Sequence, residues 1–519
     1  MKRLDVSAGL SREKTVSVGI LLFWLLLLWA SFDGFYFYDD VYYLRKAVEL
    51  LRGGWQLRHV MDHRLGLYAP VSLFVAWGGV NEWTAVAYPG LCVLLVLILF
   101  WRFYDWGWVA TLFLITDYYV FHFAVKLYPD TVLMLWVVAA CMALDKRHCG
   151  RVAGLWAALA LFAAFLTKET VIWMMPALLL FFIQDMRRKQ YLAFWQMLGF
   201  AGGLLLVLYF ACYAWAFGHP LYRFWHIQAE HSPNYGAFSY YDKPWIYTLR
   251  RITYQPLLMF VGADMWVGFS GAMVALIASW RSGRRLSVWG VVFLSMLGMF
   301  WFFTTSFRYY NPITLHARMV LPLVPLAAAV IGRNFFSLNK KALAVWGCLL
   351  WAASLWVSYQ GNHALAAVYF LKGAVLWGGT FFRTVPYRAV LSVLIALSFI
   401  HPAYAAYKAR TQGSYWDEKY LLHKYFSKGK QEDCLVSDNR LATGGDFYFA
   451  FRKDAPALYD LMLVDDTTLQ ACRSVWLLKN KSSWNEFRLL GRDYEAVFNS
   501  GAWEPVECRG NVCLYRKRR

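Results

Sequence analysis

The hydrophobic residues of this chain are gathered in long blocks, for example over residues 20–30, 91–101, 155–166 and 204–210. A segment of about 20 mostly apolar residues is typical of a helix that crosses a membrane, because lipid offers the backbone no hydrogen-bond partner and a helix satisfies its own polar groups. The pattern therefore predicts a polytopic α-helical membrane protein.

Block lengths predict about thirteen transmembrane helices. They are expected near residues 16–32, 84–104, 106–124, 131–145, 152–166, 170–184, 193–217, 254–280, 286–305, 317–332, 342–360, 365–381 and 389–406. The first block has no small-residue cleavage site after it, so we predict an uncleaved first span. The apolar stretch 68–80 has only about 13 residues, too few for a full crossing. We therefore expect an interfacial or re-entrant helix there, closing an outer loop over 33–83, and a second long outer loop over 218–253.

Charge sets the predicted orientation. The net charge is +20, and most Lys and Arg lie in short segments between apolar blocks, as in cytoplasmic loops that follow the positive-inside rule. With these basic segments in the cytoplasm, the N-terminus lies inside and the C-terminus outside. A nucleic-acid partner is not expected, because the basic residues form no patch on a soluble fold. Composition agrees with the membrane class: 60% of residues are hydrophobic, 16% are charged, and 27 are Trp, a residue that favours the membrane interface.

The pattern changes near Lys408, so that 1–407 is predicted to be the membrane domain and 408–519 a small soluble α/β domain. In this last part charge rises, apolar runs shorten and turn residues such as those of 442–446 appear. Four cysteines lie here, and an even number in an extracytoplasmic domain predicts two disulfides. The short spacing of Cys508 and Cys513 suggests a local loop, which would leave Cys434 to pair with Cys472.

Two adjacent carboxylates, Asp39 and Asp40, follow the first predicted span. Acidic side chains at the mouth of a helix bundle are costly unless they act as a base or a ligand. The alternative is a solvated acidic turn that caps the helix beginning near Val41.

Further charged residues stand at predicted outer ends. Arg64 is suited to bind a lipid phosphate, and the alternative is that it simply extends toward the lipid headgroups. Lys168 is either a functional cation or a partner of the adjacent Glu169. Arg318 precedes two prolines, which predicts a guanidinium above a kinked helix or an interfacial anchor. Asp130 begins another span. The loop residues His226, Glu230 and His231 suggest a metal site, with no standard zinc spacing to support it.

Taken in order, these motifs resemble the GT-C glycosyltransferases, in the branch of protein O-mannosyltransferases and lipid A aminoarabinose transferases. The matching features are D-D-x-x-Y in the first outer loop, H-R before the short helix, P-D, T-K-E, E-H, and A-R-M-V-L-P-L-x-P at a late span. The resemblance covers roughly residues 16–335. The aminoarabinose transferases have Glu-Lys-Pro where this chain has His63-Arg64-Leu65.

The resemblance implies a GT-C fold and a membrane glycosyltransferase that uses a polyprenyl-phosphate sugar. Asp39 would be the catalytic carboxylate, with Asp40 beside it and Asp130 facing the same cavity. The donor phosphate would be held by Arg64, Lys168 and Arg318. The sequence requires no cofactor; a divalent metal, if one binds, would be held by His63, Glu230 and His231. The implied location is the inner membrane, with the C-terminal domain in the periplasm.

The expected reaction is direct displacement. Asp39 would deprotonate an acceptor oxygen as it attacks the anomeric carbon, and the cations would neutralise the departing phosphate, giving inversion. The acceptor would be lipid A or another lipid, an envelope glycan or a protein. The competing functions are a transporter or flippase, which should carry its charges near the bilayer midplane, and a polysaccharide polymerase or ligase with a diphosphate-linked donor.

Overall fold

The structure is a computed structural model. It describes residues 19–518 apart from 20, 23, 31, 36–37, 55, 231–239, 241–242, 307–309, 382–385, 413, 427–431 and 499–501. The described residues of 19–30 are helical. The remaining helices, in chain order, are α1 Asp39–Leu51, α2 Leu65–Gly78, α3 Glu82–Phe103, α4 Gly107–Ile115, α5 Tyr118–Phe123, α6 Pro129–Asp145, α7 Arg151–Thr167, α8 Met175–Arg188, α9 Leu192–Phe217, α10 Tyr222–Glu230, α11 Trp245–Ile252, α12 Gln255–Gly262, α13 Trp266–Arg281, α14 Val288–Phe302, α15 Val324–Asn334, α16 Lys340–Tyr359, α17 His363–Phe381, α18 Tyr387–Ser398, α19 Ile400–Gln412, α20 Tyr415–Phe426, α21 Asn439–Gly444, α22 Asp466–Gln470, α23 Lys481–Leu489 and α24 Tyr494–Val497.

Short 3-10 segments join several of these helices. They are Val60–His63, Arg147–Cys149, Glu169–Met174, Ala317–Leu323, Phe335–Ser337 and Gly445–Phe449. The 3-10 segment Ala317–Leu323 runs directly into α15, so the helical geometry changes where the sequence predicts a kink. Pro322 and Pro325 lack backbone N–H groups, so the regular α-helical hydrogen-bond pattern cannot pass through them.

Seven helical segments among the described residues are long and apolar enough to cross a membrane. They are Glu82–Phe103, Glu169–Arg188, Leu192–Phe217, Ala317–Ser337, Lys340–Tyr359, His363–Phe381 and Tyr387–Lys408. Ala317–Ser337 is the most enclosed, with 78% of its apolar window buried, whereas only 11% is buried in Leu192–Phe217. The segment that carries Arg318 is therefore central. Leu65–Gly78, Arg151–Thr167 and Val288–Phe302 are shorter apolar helices, and the count of thirteen stays a prediction.

Two predicted spans are broken in the middle. The span over 106–124 divides into α4 and α5, where the Asp117 carboxylate accepts hydrogen bonds from the N–H groups of Tyr119 and Val120. The span over 254–280 divides into α12 and α13 at Asp264, which has a left-handed φ of 52°. A capping carboxylate starts a new helix, and a left-handed residue ends an existing one. Apolar content alone does not reveal either break.

The C-terminal part contains a five-stranded mixed sheet packed with short helices. Its strands are β1 Asp433–Ser437, β2 Ala457–Asp460, β3 Ser474–Asn480, β4 Trp503–Arg509 and β5 Val512–Lys517. Their order is β2-β1-β3-β5-β4, with β1 parallel to both neighbours and β5 antiparallel to both of its own. The disulfides are Cys434–Cys472 and Cys508–Cys513, the same pairing as predicted. This is the expected α/β architecture.

The C-terminal part packs against the helix bundle near α1 and α3. Glu82, the first residue of α3, is buried and accepts hydrogen bonds from the Tyr415 hydroxyl at 2.7 Å and the Lys419 ammonium at 2.5 Å. Arg45 on α1 contacts Asp446 at 2.8 Å. These contacts place the sheet-containing part over the segment that carries Asp39.

Candidate active site

The candidate site lies where several helical segments begin. Asp39 opens α1, and Asp130 is the second residue of α6, after a proline at the first position. Lys168 immediately precedes the 3-10 segment Glu169–Met174, and Arg318 is the second residue of Ala317–Leu323. Proline is well accommodated at the first helical position, and helix beginnings carry a partial positive charge. The sequence thus brings four polar ends together from distant parts of the chain.

An alternating chain of charges joins these four residues. Arg318 Nη1 donates to Asp39 Oδ2 at 2.7 Å, and its Nε lies 3.8 Å from Asp130 Oδ2. Lys168 Nζ donates to Asp130 Oδ1 at 2.5 Å. Asp130 and Lys168 are almost fully buried, whereas the Asp39 side chain is 29% exposed. Of the two carboxylates in this charge chain, Asp39 is therefore the more accessible to a substrate.

Arg64 reaches the same region through an aromatic residue. Its guanidinium donates a hydrogen bond to the hydroxyl of Tyr43, which is fully buried on α1. Burial opposes the charge on Arg64, but the neighbouring Tyr43, Glu169 and Asp130 outweigh it and hold the pKa of Arg64 above its ordinary value. Arg64 is thus a permanent cation whose charge interacts with the Asp130 carboxylate.

Two guanidinium groups each have an N–H group that forms no hydrogen bond with any described residue. Nε of Arg64 and Nε of Arg318 are both buried, and neither has a hydrogen-bond acceptor among the described residues. A buried donor without an acceptor costs about 1–3 kcal/mol. With Lys168, the site has three cations against the two carboxylates of Asp39 and Asp130. A phosphate group would satisfy the guanidinium donors and balance the charge.

The predicted pairing of Lys168 with Glu169 does not occur. Lys168 contacts Asp130, while Glu169 accepts from Arg223 Nη2 on α10 at 2.6 Å. Backbone geometry explains the separation, because Lys168 is extended whereas Glu169 begins a helical turn. Asp40 is fully buried and accepts from the backbone N–H of Val41 at 2.9 Å, so the two adjacent carboxylates occupy different environments.

His63 lies in a hydrogen-bonded aromatic cluster. Its Nδ1 is 2.9 Å from the Tyr213 hydroxyl, and its Nε2 is 2.9 Å from Nδ1 of His226. Burial lowers the pKa of His63 to about 4, and Arg223 and His226 act in the same direction. In the part of the chain that the structure describes, no three His, Cys, Asp or Glu residues gather as a metal site. The Glu230 side chain and the whole of His231 lie outside the described residues, so the metal site of His63, Glu230 and His231 stays a prediction.

A cavity of about 190 Å³ adjoins Asp39. Its lining includes Tyr38, the α1 residues Tyr42 and Arg45, and His59, together with Thr443 and Gly444 of the C-terminal part. Asp39 is the only residue of the charge chain described above that lines this cavity. The Asp39 carboxylate therefore borders both the cations and a separate, partly open cavity.

Two solved structures match nearly the whole chain. The first is ArnT from Cupriavidus metallidurans bound to undecaprenyl phosphate, with a TM-score of 0.57 and 15% sequence identity over 96% of this chain and 97% of that chain. The apo state of the same protein gives a TM-score of 0.54 and 13% identity over 98% of both chains. This chain has the ArnT fold.

The ArnT fold is the GT-C fold expected from the motifs. The match extends over both the helical bundle and the small sheet-containing part at the C-terminal end. No family model and no curated protein sequence matches this chain.

The site contains functional candidates that sequence reasoning missed. Tyr43 is the aromatic of the D-D-x-x-Y motif, and its spacing four residues after Asp39 was the available signal. Arg223 gave no local signal, because its partner Glu169 is 54 positions away. A further buried cluster was also missed: Asp264 lies 3.6 Å from Lys372 and 2.9 Å from His401.

Proposed function

We propose that this chain is a membrane glycosyltransferase that moves a sugar from a polyprenyl-phosphate donor to an acceptor outside the cytoplasm. The observation that carries the proposal is the convergence of Asp39 and Asp130 with Arg64, Lys168 and Arg318 at one end of a bundle with the ArnT fold. One of the matching structures is described as bound to undecaprenyl phosphate. The proposed location is the inner membrane, with a cytoplasmic N-terminus and a periplasmic C-terminal domain.

The donor phosphate would occupy the cationic side of the site. Helix beginnings and guanidinium groups both favour an anion. A phosphate near Arg318 competes with Asp39 for that cation. Donor binding therefore loosens the 2.7 Å ion pair and leaves the Asp39 carboxylate available to a substrate proton. Asp39 is thereby free to accept a proton mainly when the donor phosphate is bound.

The reaction is a single displacement at the anomeric carbon. Asp39 accepts the proton of an acceptor hydroxyl while that oxygen attacks the carbon. The bond from the anomeric carbon to the phosphate oxygen breaks, and its electron pair stays with the departing polyprenyl phosphate. Arg64, Lys168 and Arg318 stabilise the charge that grows on the phosphate. Attack opposite to the leaving group inverts the configuration of the sugar.

A test compares envelope glycans of a strain lacking the gene with strains that carry the wild type, Asp39→Asn or Asp105→Asn. Asp105 is an exposed carboxylate in the connection between α3 and α4 and serves as the matched control. We expect one sugar to disappear in the deletion strain, to return with wild type and Asp105→Asn, and to stay absent with Asp39→Asn. Return of the sugar with Asp39→Asn would refute the assigned base.

A transporter or flippase is the second candidate. The observation that favours it is the buried pair of Asp264 and Lys372, with the half-buried His401 beside Asp264. Ionisable groups buried between membrane helices often mark a transport pathway. Its discriminating outcome is an unchanged set of glycans in the deletion strain together with altered uptake of a solute. The polymerase or ligase alternative predicts loss of a whole polymer rather than of one sugar.

A further inference from the structure

The cavity beside Asp39 lies where an acceptor could approach the proposed base. The donor phosphate belongs on the side of Arg64, Lys168 and Arg318. Displacement requires the attacking oxygen to arrive from the opposite side of the anomeric carbon. The cavity reaches Asp39 but is lined by none of those three cations. It therefore offers an approach to the base that does not pass through the phosphate site.

The dimensions of the cavity limit what it holds. A pocket for a complete drug-sized ligand has a volume of about 300–1,000 Å³. At about 190 Å³, this cavity accommodates one ring-sized group rather than a whole acceptor. The rest of the acceptor would extend beyond it.

The lining combines aromatic surfaces with a few polar groups. Tyr38 is 46% exposed and precedes Asp39 directly. Tyr42 is held by a 2.5 Å hydrogen bond from its hydroxyl to Asp62, and its ring lies 5.9 Å from that of His59. An aromatic face is electron-rich and attracts the weakly positive C–H groups of a saturated ring. Polar groups at the edge suit hydroxyl substituents.

The C-terminal part completes the cavity wall. Arg45 donates to both carboxylate oxygens of Asp446, at 2.8 and 2.9 Å, and to the carbonyl of Thr443 at 3.0 Å. Arg52 donates to the carbonyl of Phe451 at 3.0 Å. These contacts hold Thr443 and Gly444 against α1. The walls of this partly open cavity therefore come from both parts of the chain.

We propose that this cavity is the acceptor subsite and that it receives a sugar ring of a glycolipid or glycan, with Tyr38 as the stacking surface and Thr443 as part of the wall. The inference rests on the proposed transferase function and deepens it. Tyr38 and Thr443 act in acceptor binding, whereas Asp39 acts on the acceptor proton.

The test uses the purified full chain with a radiolabelled polyprenyl-phosphate sugar fraction from wild-type membranes. Acceptors are the glycolipid fraction of the deletion strain in one arm and the water-soluble glycan released from that fraction in the other. Tyr38→Ala removes the stacking ring, Thr443→Trp fills the cavity, and Tyr38→Phe keeps the ring. Tyr359→Ala, in a residue 81% exposed at the end of α16, is the matched control. The thermal unfolding midpoint of each variant verifies its fold.

We expect Tyr38→Ala and Thr443→Trp to raise the acceptor concentration at half-maximal rate about tenfold or more, while inhibition by added polyprenyl phosphate is unchanged. Tyr359→Ala should match wild type, and Tyr38→Phe, which keeps the ring, should restore most of the acceptor affinity that Tyr38→Ala loses. An effect in both arms identifies the sugar ring alone as the recognised group, and transfer restricted to the lipid arm identifies a glycolipid.

Three results overturn the subsite. Wild-type transfer with unchanged acceptor dependence in Tyr38→Ala and Thr443→Trp refutes the subsite and leaves the transferase function intact. Transfer to an envelope protein fraction but to neither glycan arm does the same. Absence of transfer by wild type in every arm, with Asp39→Asn indistinguishable from it, refutes the transferase function and the subsite together.

Discussion

At the scale of single residues, Asp130 is the carboxylate on which the buried charges depend. It lies between Lys168 at 2.5 Å and Arg318 at 3.8 Å and is almost completely buried. Removing one member of a buried ion pair costs about 3–5 kcal/mol, because the remaining charge stays in a poor solvent. Replacing both members with apolar residues of similar size is often neutral.

Comparing a single with a double replacement therefore separates the structural role of Asp130 from its proposed role in the reaction. We expect Asp130→Leu to lower the free energy of unfolding by about 3–5 kcal/mol, and Asp130→Leu with Lys168→Met to recover most of that loss. Neither variant should transfer sugar, because both lack charges of the site. Unfolding in detergent and the transfer rate are the two measurements. The control is Glu432→Leu, whose pair with Arg473 is more than half exposed and is worth about 0–1 kcal/mol. A double variant as unstable as the single one would contradict the account.

At the scale of elements, the position of α1 depends on the turns at its two sides. Gly34 precedes α1 and has a φ of 89°, and a side chain there would collide with the ring of Tyr415 on α20. Gly53 follows α1 with a φ of 73° and has open space around it. Both positions favour glycine because of their backbone conformation. Close packing against the C-terminal part occurs at Gly34.

The two glycines therefore make a matched pair. Alanine in a left-handed conformation costs roughly 1–2 kcal/mol, so Gly53→Ala should lose about that amount of unfolding free energy. Gly34→Ala should lose clearly more and should also expose the C-terminal part to protease, because Tyr415 must move. The measurements are unfolding in detergent and limited proteolysis. Equal losses in the two variants would show that the contact with Tyr415 does not matter.

The sequence predicts continuous apolar helices better than it predicts short breaks within them. The segment predicted as a short helix over 68–80 is α2, Leu65–Gly78, because a continuous apolar stretch is readable from composition. The breaks at Asp117 and Asp264 were not readable, because a capping carboxylate and a left-handed residue act through backbone geometry. In the site, Arg318 and Lys168 form ion pairs with Asp39 and Asp130, and Arg64 contacts Tyr43 on α1. The order of the motifs along the chain was the sequence signal for both carboxylates and all three cations, whose roles in a reaction stay predictions. The partnership of His63 with Tyr213 depends on a contact between residues 150 positions apart, which no local pattern encodes.

At the scale of the whole molecule, the two disulfides constrain the C-terminal part to different degrees. Cys434–Cys472 closes a loop with a sequence separation of 38, and Cys508–Cys513 one of 5. Loop-closure entropy assigns about 4 kcal/mol to the longer loop and about 2 kcal/mol to the shorter one. The longer crosslink should therefore matter more for keeping Thr443 and Asp446 in place.

We expect Cys434→Ser with Cys472→Ser to lower the temperature at which protease cleaves the C-terminal part more than Cys508→Ser with Cys513→Ser does. Transfer should be lost in parallel with that cleavage, since one wall of the proposed acceptor subsite belongs to this part. Proteolysis over a temperature series and the transfer rate after each step are the measurements. A larger effect from the shorter loop would contradict the entropic argument.

Arg45 and Asp446 meet across 401 positions of sequence. During synthesis the early segment with Asp39 leaves the ribosome long before the segment that encloses it. A nascent chain thus contains Asp39 before the residues that complete the neighbouring cavity have been made. Glycosyl transfer would begin only after translation is nearly complete, and truncated products would be inert even when their bundle is inserted.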